Sequence, residues 1–257
     1  MGCGRSLLDG HTPDAAWLSE CVSSAVPHDV PAELASAAAT IFGDGLPLAR
    51  EYAVRLATDG VVRGLIGPRE APRLWDRHLL NCGVLGSLVD KRAFVIDVGS
   101  GAGLPGVPLA IARPDVTIVL LEPLARRVAF LEQVVEELGL RDRVEVVRGR
   151  AEEIAARPAM FHVKPADIVT ARAVAPLDRL AAWCLPLAAP RGRVLAIKGE
   201  SAPEEIATHG AAIERRGGSA PVLRVCGDGL LPAPTNVVEI VRLSRATADR
   251  GFRSGRR

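Results

Sequence analysis

The stretch FVIDVGSGAGLPG, from Phe94 to Gly106, predicts a buried strand that ends in a glycine-rich loop. Its first five residues form an apolar run interrupted only by Asp97, as in parallel strands that are covered on both faces. Four glycines in the next eight residues allow a tight turn and let a ligand approach the backbone closely. Pro105 suits the first turn of a following helix. We therefore expect a strand–loop–helix unit that binds a ligand at the loop.

More strand-like runs follow and alternate with helical segments, the clearest of which extends from Arg126 to Leu138. No long helix separates the last two runs, so we expect them to be antiparallel. The pattern predicts an α/β fold, a doubly wound and mostly parallel Rossmann-like sheet with an antiparallel C-terminal edge. The predicted strands are Phe94–Val98, Thr117–Leu121, Val144–Val147, Asp167–Thr170, Arg193–Ile197, Pro221–Val225 and Val237–Leu243.

Changes in pattern divide the chain into four predicted segments. Residues 1–30 lack periodicity and form a loose leader, and residues 31–92 have helical spacing and form an N-terminal helical subdomain. Residues 93–244 form the sheet domain, and residues 245–257 form a basic tail with five Arg and one Asp.

Two details of the helices are also predicted. The last helix of the helical subdomain should extend from about Pro72 to Val89. Ser201 and Glu204 have the spacing of a capping box, with Ser201 as the N-cap of a helix.

Composition excludes several classes of protein. Apolar residues make up 48% and charged residues 24%, which is typical of a globular chain, and the net charge of +2 excludes a histone-like protein. No apolar run approaches the ~20 residues that span a bilayer. The five cysteines form no C-x-x-C pair, which favours reduced thiols and gives no reason to expect a metal site. We expect a cytoplasmic protein with no membrane partner.

The glycine loop has two interpretations. Gly101, Gly103 and Gly106 have the spacing of the dinucleotide-binding fingerprint, whereas Asp97 followed by Gly99, Gly101 and Gly103 has the form found in S-adenosylmethionine (SAM) methyltransferases. Glu122 ends the second strand about twenty residues beyond the loop, where a carboxylate accepts hydrogen bonds from ribose hydroxyls. Because both kinds of site use such a carboxylate, it indicates a nucleoside without identifying which one.

The chain resembles the RsmG (GidB) family of bacterial methyltransferases between Arg77 and Glu200, most closely the actinobacterial type. Where the family has Asn-Leu-Thr near the end of its helical domain, this chain has Val61–Gly64 instead. The segments that carry the resemblance are Arg77–Asn81, Asp97–Pro108, Leu120–Pro123, Arg126–Leu131, Arg150–Glu153, Ala171–Ala175 and Ile197–Glu200.

This resemblance implies a SAM-dependent methyltransferase that modifies guanine N7 in 16S ribosomal RNA, in a loop beside the decoding centre. Residues 93–244 would then be the SAM-binding domain. The partner would be 16S ribosomal RNA or the small ribosomal subunit, with no DNA partner, and we expect a monomer. The residues expected to bind the cofactor are Gly99, Gly101, Leu104, Glu122, Ala151, Glu152 and Arg172.

Candidate RNA contacts are Arg77, His78, Arg150 and Lys198. For three of these residues the sequence offers an alternative interpretation or an argument from position. Arg77 can simply solvate a helix, and His78 lies on an apolar stripe where packed histidines are common. Lys198 follows a buried strand, where open α/β sheets bind ligands.

The predicted chemistry requires no general base, because guanine N7 already carries a free lone pair. The enzyme would work by orientation, and we name no catalytic acid or base. Two other functions stay open from the residues. One is an NAD(P)-dependent oxidoreductase on the same sheet, although no Tyr-x-x-x-Lys constellation is present and Tyr52, the sole tyrosine, lies outside the sheet domain. The other is a non-catalytic ribosome- or RNA-binding protein.

Overall fold

The computed structural model describes residues 29–172 and 175–243. The predicted leader, apart from its last two residues, and the predicted basic tail lie outside the described residues. The division between a helical subdomain and a sheet domain at residue 93 stays a prediction.

A seven-stranded sheet forms the centre of the described part of the protein. Its strands are β1 (Phe94–Val98), β2 (Thr117–Glu122), β3 (Val144–Arg148), β4 (Ala166–Arg172), β5 (Ala188–Lys198), β6 (Val222–Cys226) and β7 (Thr235–Val241). Their order across the sheet is β3-β2-β1-β4-β5-β7-β6. The first five strands run parallel, and β7 pairs antiparallel with both β5 and β6. The predicted doubly wound fold with an antiparallel C-terminal edge is therefore confirmed.

Strand β5 begins five residues earlier than predicted, at Ala188 instead of Arg193. Its added part contains alanine, proline and glycine, which carry no strand signal of their own. Ala188 nevertheless pairs with Ala166 of β4, on the far side of a register shift between Ala166 and Ile168. Backbone pairing with β4 therefore extends β5, although the side chains of this segment do not predict a strand.

Helices cover both faces of the sheet. The α-helices are α1 (Ala35–Phe42), α2 (Leu46–Arg55), α3 (Leu80–Gly83), α4 (Gly106–Ala112), α5 (Ala125–Glu137), α6 (Ala151–Ala156), α7 (Leu177–Cys184) and α8 (Ala202–Arg215). Alternate strand residues face opposite sides, so Val95 packs with α4, α5 and the N-terminal helices, whereas Ile96 packs with α6, α7 and α8. The N-terminal helices thus share one hydrophobic core with a face of the sheet. No helix among the described residues is long and apolar enough to cross a membrane.

The predicted third N-terminal helix has mixed geometry. A short 3₁₀ turn at Ala71–Arg73 precedes a π-helical turn at Trp75–Leu79, after which come α3 and a second 3₁₀ turn at Val84–Leu88. The wide π turn rotates the residues that follow it relative to a regular helix. A uniform helical period therefore describes this segment only approximately.

The capping box predicted at the start of α8 is wrong. Ser201 is the N-cap, as expected, but its side chain makes no capping hydrogen bond. Its backbone has helical angles, φ −73° and ψ 0°, whereas a capping side chain requires extended backbone at that position. The Ser201 hydroxyl donates to Glu205 Oε1 at 3.3 Å instead.

Gly106 begins α4 at a position where no side chain fits. A Cβ there would collide with Leu120 Cδ2 and lie 2.8 Å from Asp97 Oδ2. We predict that Gly106→Ala lowers the free energy of unfolding by about 1–3 kcal/mol, because the buried site cannot expand without strain. Chemical denaturation measures this change.

Gly67→Ala is the matched control, because its nearest neighbour would be Glu70 Cγ at 3.9 Å. The control should change the unfolding free energy by less than about 0.5 kcal/mol. Equal effects of the two substitutions would contradict the proposed crowding at Gly106.

Candidate active site

The glycine loop joins β1 to α4 and returns along the end of β2. Gly99 N–H donates to the carbonyl oxygen of Leu121 at 2.8 Å, so the loop begins by continuing the pairing of the two strands. Gly103 has φ +101°, and a Cβ on it would lie 2.8 Å from Tyr52 Oη and 2.7 Å from Val107 Cγ2. The loop is therefore packed closely by its neighbours as well as turned tightly.

Glu122 holds the loop from β2. Its side chain is buried, and its two carboxylate oxygens accept backbone N–H groups, Oε2 from Gly101 and Oε1 from Leu124, each at 3.0 Å. Arg127 Nη1 lies 3.7 Å from Oε2 and contributes positive charge. The predicted ribose-binding carboxylate thus lies against the glycine loop, as the sequence pattern requires.

Asp97 holds the loop from β1. Its Oδ2 accepts the N–H of Gly106 at 3.0 Å, whereas Oδ1 is buried with no hydrogen-bond partner among the described residues. Burial raises the pKa of the Asp97 carboxyl to about 7, although the nearby Ser100 hydroxyl and the Gly106 N–H oppose this shift. A buried acid with one free oxygen at the end of a central strand is typical of a ligand site.

Tyr52 is a site residue that sequence reasoning missed. It lies on α2, in the N-terminal helices, yet its buried hydroxyl donates to the carbonyl oxygen of Ala102 in the glycine loop at 2.7 Å. Its place on an apolar helical stripe gave no sign of this contact. The N-terminal helices therefore support the loop directly.

A small cavity of about 120 Å³ opens beside the loop. Three predicted cofactor residues, Gly99, Ala151 and Glu152, line it together, and so does Arg150, which was predicted to contact RNA. Trp183 of α7 forms another wall and was not predicted. A lone tryptophan within a helix carries no signal for such a site, because only the crossing of α7 over the sheet places it there.

Leu104 and Gly101, also predicted to bind the cofactor, lie in the glycine loop. Neither residue lines this cavity or the larger cleft at the ends of β4 and β5. Leu104 N–H donates to the Ser100 carbonyl oxygen at 3.0 Å, which tightens the turn.

A second, larger cleft of about 1240 Å³ lies between the N-terminal helices, the ends of β4 and β5, and the turn before β7. Four residues singled out from sequence line it: Arg77, His78, Arg172 and Lys198. Its volume exceeds the roughly 300–1000 Å³ of ordinary small-molecule pockets. The cleft is therefore large enough for part of a macromolecule.

Arg172, at the end of β4, points toward the N-terminal helices. Its Nη2 donates to His78 Nδ1 at 2.7 Å and to the Arg77 carbonyl oxygen at 3.1 Å, and its Nη1 donates to Cys82 Sγ at 3.2 Å. Arginine only donates, so His78 Nδ1 is the acceptor and Nε2 carries the proton. That Nε2 lies 3.1 Å from Glu70 Oε2.

His78 is consequently neutral. Burial, together with the charge of Arg172, lowers the pKa of His78 to about 4. Both of its ring nitrogens have partners within the protein. His78 thus links Arg172 to Glu70 and supplies no free base to the cleft.

Comparisons with known proteins match this geometry. A family model described as "GidB: rRNA small subunit methyltransferase G" matches residues 46–229. The chain belongs to the GidB family. This membership confirms the predicted resemblance and the predicted methyltransferase function, and the comparisons do not support the oxidoreductase or the non-catalytic alternative.

Curated relatives extend the GidB match over most of the chain. A protein of Salinispora tropica named ribosomal RNA small subunit methyltransferase G is 60% identical over 82% of this chain and 88% of its own length. One of the same name from Salinispora arenicola is 58% identical over 88% of this chain and 96% of its own length.

A solved structure also matches the GidB-family chain. The SAM-dependent methyltransferase SibL, in its apo form, has a TM-score of 0.53 at 17% identity, covering 80% of this chain and 70% of that one. At this identity the likeness shows the fold alone.

In this GidB-family chain, we predict that Tyr52→Phe lowers the unfolding free energy by about 1–3 kcal/mol, because the buried Ala102 carbonyl loses its donor. Ligand binding at the loop should weaken as well. Thr40→Ala removes an exposed hydroxyl that bonds only within its own helix and serves as the control. Unchanged stability in Tyr52→Phe would show that the hydroxyl does not support the loop.

Asp97 should also make stability depend on pH. Its folded-state pKa of about 7 lies above the ordinary 3.8, so the folded state binds more protons between these values and stability falls as pH rises through this window. Asp97→Asn should remove that fall. The unfolding free energy of the variant relative to the parent should rise by up to about 1.4 kcal/mol per pH unit.

Denaturation curves from pH 5 to pH 8, roughly the range over which the folded carboxyl ionises, measure this difference. His78 has the opposite effect on stability: between its folded-state pKa of about 4 and its ordinary value of 6.5, the unfolding free energy rises with pH. Because variant and parent both contain His78, this contribution cancels in the difference between them. Parallel curves for variant and parent would contradict the raised pKa of Asp97.

Proposed function

We propose that this protein transfers a methyl group from SAM to N7 of a guanine in 16S ribosomal RNA, near the decoding centre. One observation carries the proposal: a small cavity for a nucleoside and a large cleft for substrate both open at the carboxyl ends of the parallel strands. Ligands of open α/β sheets bind at that edge. The relatives' names specify ribosomal RNA of the small subunit.

The residues at the small cavity fit SAM. SAM supplies, when bound, a methyl group on a positively charged sulfur. Gly99, Ala151 and Glu152 would surround the adenine, with Trp183 as a wall. Glu122 lies outside the cavity lining, against the glycine loop, and we assign it to the ribose hydroxyls. Asp97 lines neither cavity, but its buried Oδ1 has no partner among the described residues, and we assign it to the cationic end of the cofactor.

Orientation is the contribution we assign to the large cleft. Guanine N7 has a free lone pair, so no proton has to be removed before a methyl group is accepted. The cleft matches this requirement, because neutral His78 has both ring nitrogens engaged. Arg172 is likewise directed at the N-terminal helices and acts by positioning, which keeps its positive charge away from a base that becomes cationic.

Access to N7 requires the guanine to leave a helix. N7 lies on the major-groove edge, which is too deep and narrow to reach in A-form RNA, so the target is an unpaired or splayed-out base. We assign Arg77 and Arg150 to phosphates beside that base, because both are exposed near the two cavities. We also assign the protein to the cytoplasm, because the proposed substrate is ribosomal.

The function is tested by incubating the purified protein with radiolabelled SAM and either naked 16S ribosomal RNA or small subunits that lack the modification. We expect label in one methylated guanine, located by mass spectrometry of nuclease fragments as 7-methylguanine. Label at another base or at another atom of guanine would overturn the proposed specificity. Binding of NAD in preference to SAM would overturn the cofactor assignment.

Glu122→Ala should weaken SAM binding by about 1–3 kcal/mol, since charged hydrogen bonds to the ribose and to the loop are both lost. Isothermal titration calorimetry measures the affinity. Glu145→Ala, which removes an exposed carboxylate on neighbouring β3, is the matched control and should bind SAM like the parent. If Glu122→Ala also binds SAM normally, Glu122 does not contact the cofactor.

A further inference from the structure

Lys198, predicted from sequence to contact RNA, ends β5 as a largely buried cation. Only 7% of its side chain is exposed. Its Nζ donates to Glu205 Oε2 and to the carbonyl oxygen of Ala175, each at 2.7 Å. An ammonium with two short internal bonds is poorly placed to meet a phosphate, because contact would require breaking a partly desolvated ion pair.

Glu205, in the first turn of α8, connects this ion pair to α7. The same Oε2 that receives the Lys198 ammonium also accepts the N–H of Leu177 at 2.9 Å. Leu177 is the first residue of α7, and its N-cap, Pro176, provides no capping side chain. Glu205 therefore satisfies one of the free N–H groups at this helix start and places negative charge at the positive end of the helix.

The two side chains thereby hold one wall of the large cleft. Ala175 and Pro176 line that cleft together with Arg172, the last residue of β4. Lys198 binds the backbone just before α7 begins, and Glu205 binds the backbone where it begins. This ion pair thus ties the wall to β5 and to α8, in addition to the apolar packing between α7 and α8.

We propose that Lys198 and Glu205 are positioning residues, which fix the Ala175–Leu177 segment so that the cleft wall orients the target guanine. The proposal rests on the proposed function. It assigns Lys198 to the internal geometry of the cleft instead of to RNA phosphates.

Kinetics separate positioning from RNA contact. Lys198→Met and Glu205→Ala should each lower kcat by about 10- to 100-fold, because small misplacements of reacting groups have effects of this size. KM for RNA should stay within about twofold of the parent, since binding to the phosphates is unaffected. The double variant should lose no more activity than either single variant, as expected when both residues act through one pair.

Salt dependence and a control variant sharpen this test. A phosphate contact by Lys198 would make Lys198→Met raise KM and reduce the salt slope of RNA binding by about one, whereas positioning leaves the slope unchanged. Glu204→Gln alters an exposed carboxylate next to Glu205 and should behave like the parent. A raised KM with unchanged kcat in Lys198→Met, together with normal activity of Glu205→Ala, would overturn the proposal.

A measurement without RNA keeps this inference distinct from the proposed function. Amide hydrogen exchange at Leu177 should be at least about tenfold faster in Glu205→Ala than in the parent, because local opening becomes easier. Unchanged exchange there would overturn the positioning role even if the enzyme methylates RNA. If the parent methylates no RNA, the proposed function fails, while faster exchange still supports the clamp on Ala175–Leu177.

Circular dichroism checks that each variant folds. Its SAM affinity is a second check and should stay within about threefold of the parent, because the glycine loop is untouched. Each single variant leaves one charge of the pair without its partner, and this cost can prevent folding. In that case the double variant Lys198→Met/Glu205→Ala is used instead, because it removes both charges. The same loss of kcat and the same faster exchange are expected of it, and parent-like values of both would overturn the proposal.

Discussion

The hydrogen bond from Gly106 N–H to the buried carboxylate of Asp97 fixes the arrangement at the carboxyl edge of the sheet. It closes the loop between β1 and α4 over the ends of the central strands. The contact requires glycine at 106, because a Cβ there would overlap Leu120 and approach the carboxylate itself. The loop therefore requires both an acid at residue 97 and a glycine at residue 106. Together these two residues fix the path of the loop and hence the position of the ligand site.

The N-terminal helices complete this site from outside the sheet. Tyr52 bonds the glycine loop, and His78, the Arg77 carbonyl and Cys82 receive the guanidinium of Arg172. These contacts join the loop after β1 and the end of β4 to the same helical layer. The helices therefore set the relative positions of the two cavities, in addition to covering an apolar face.

Charge in the large cleft is mostly compensated within the protein. Arg77 pairs with Glu70, Arg73 with Asp76, and Lys198 with Glu205. Such pairing suits a reaction in which the substrate base gains positive charge, because uncompensated cations close to it would oppose the transfer. It also means that cleft arginines and lysines cannot be counted as RNA contacts from their charge alone.

The sequence by itself determined the sheet and the place of the glycine loop within it. Apolar runs and the spacing of glycines after Asp97 identified β1 and its loop, and Glu122 was found from its distance along the chain, because these signals are local. Tertiary structure alone decided the contacts of Tyr52, Trp183, Arg172 and Lys198. Their partners lie 7 to 95 residues away along the chain or on another element, and no period or spacing encodes such a contact. A lysine at the end of a buried strand looks the same in sequence whether it meets a phosphate or a partly buried glutamate, and only the packing of α8 beside α7 and β7 makes that choice.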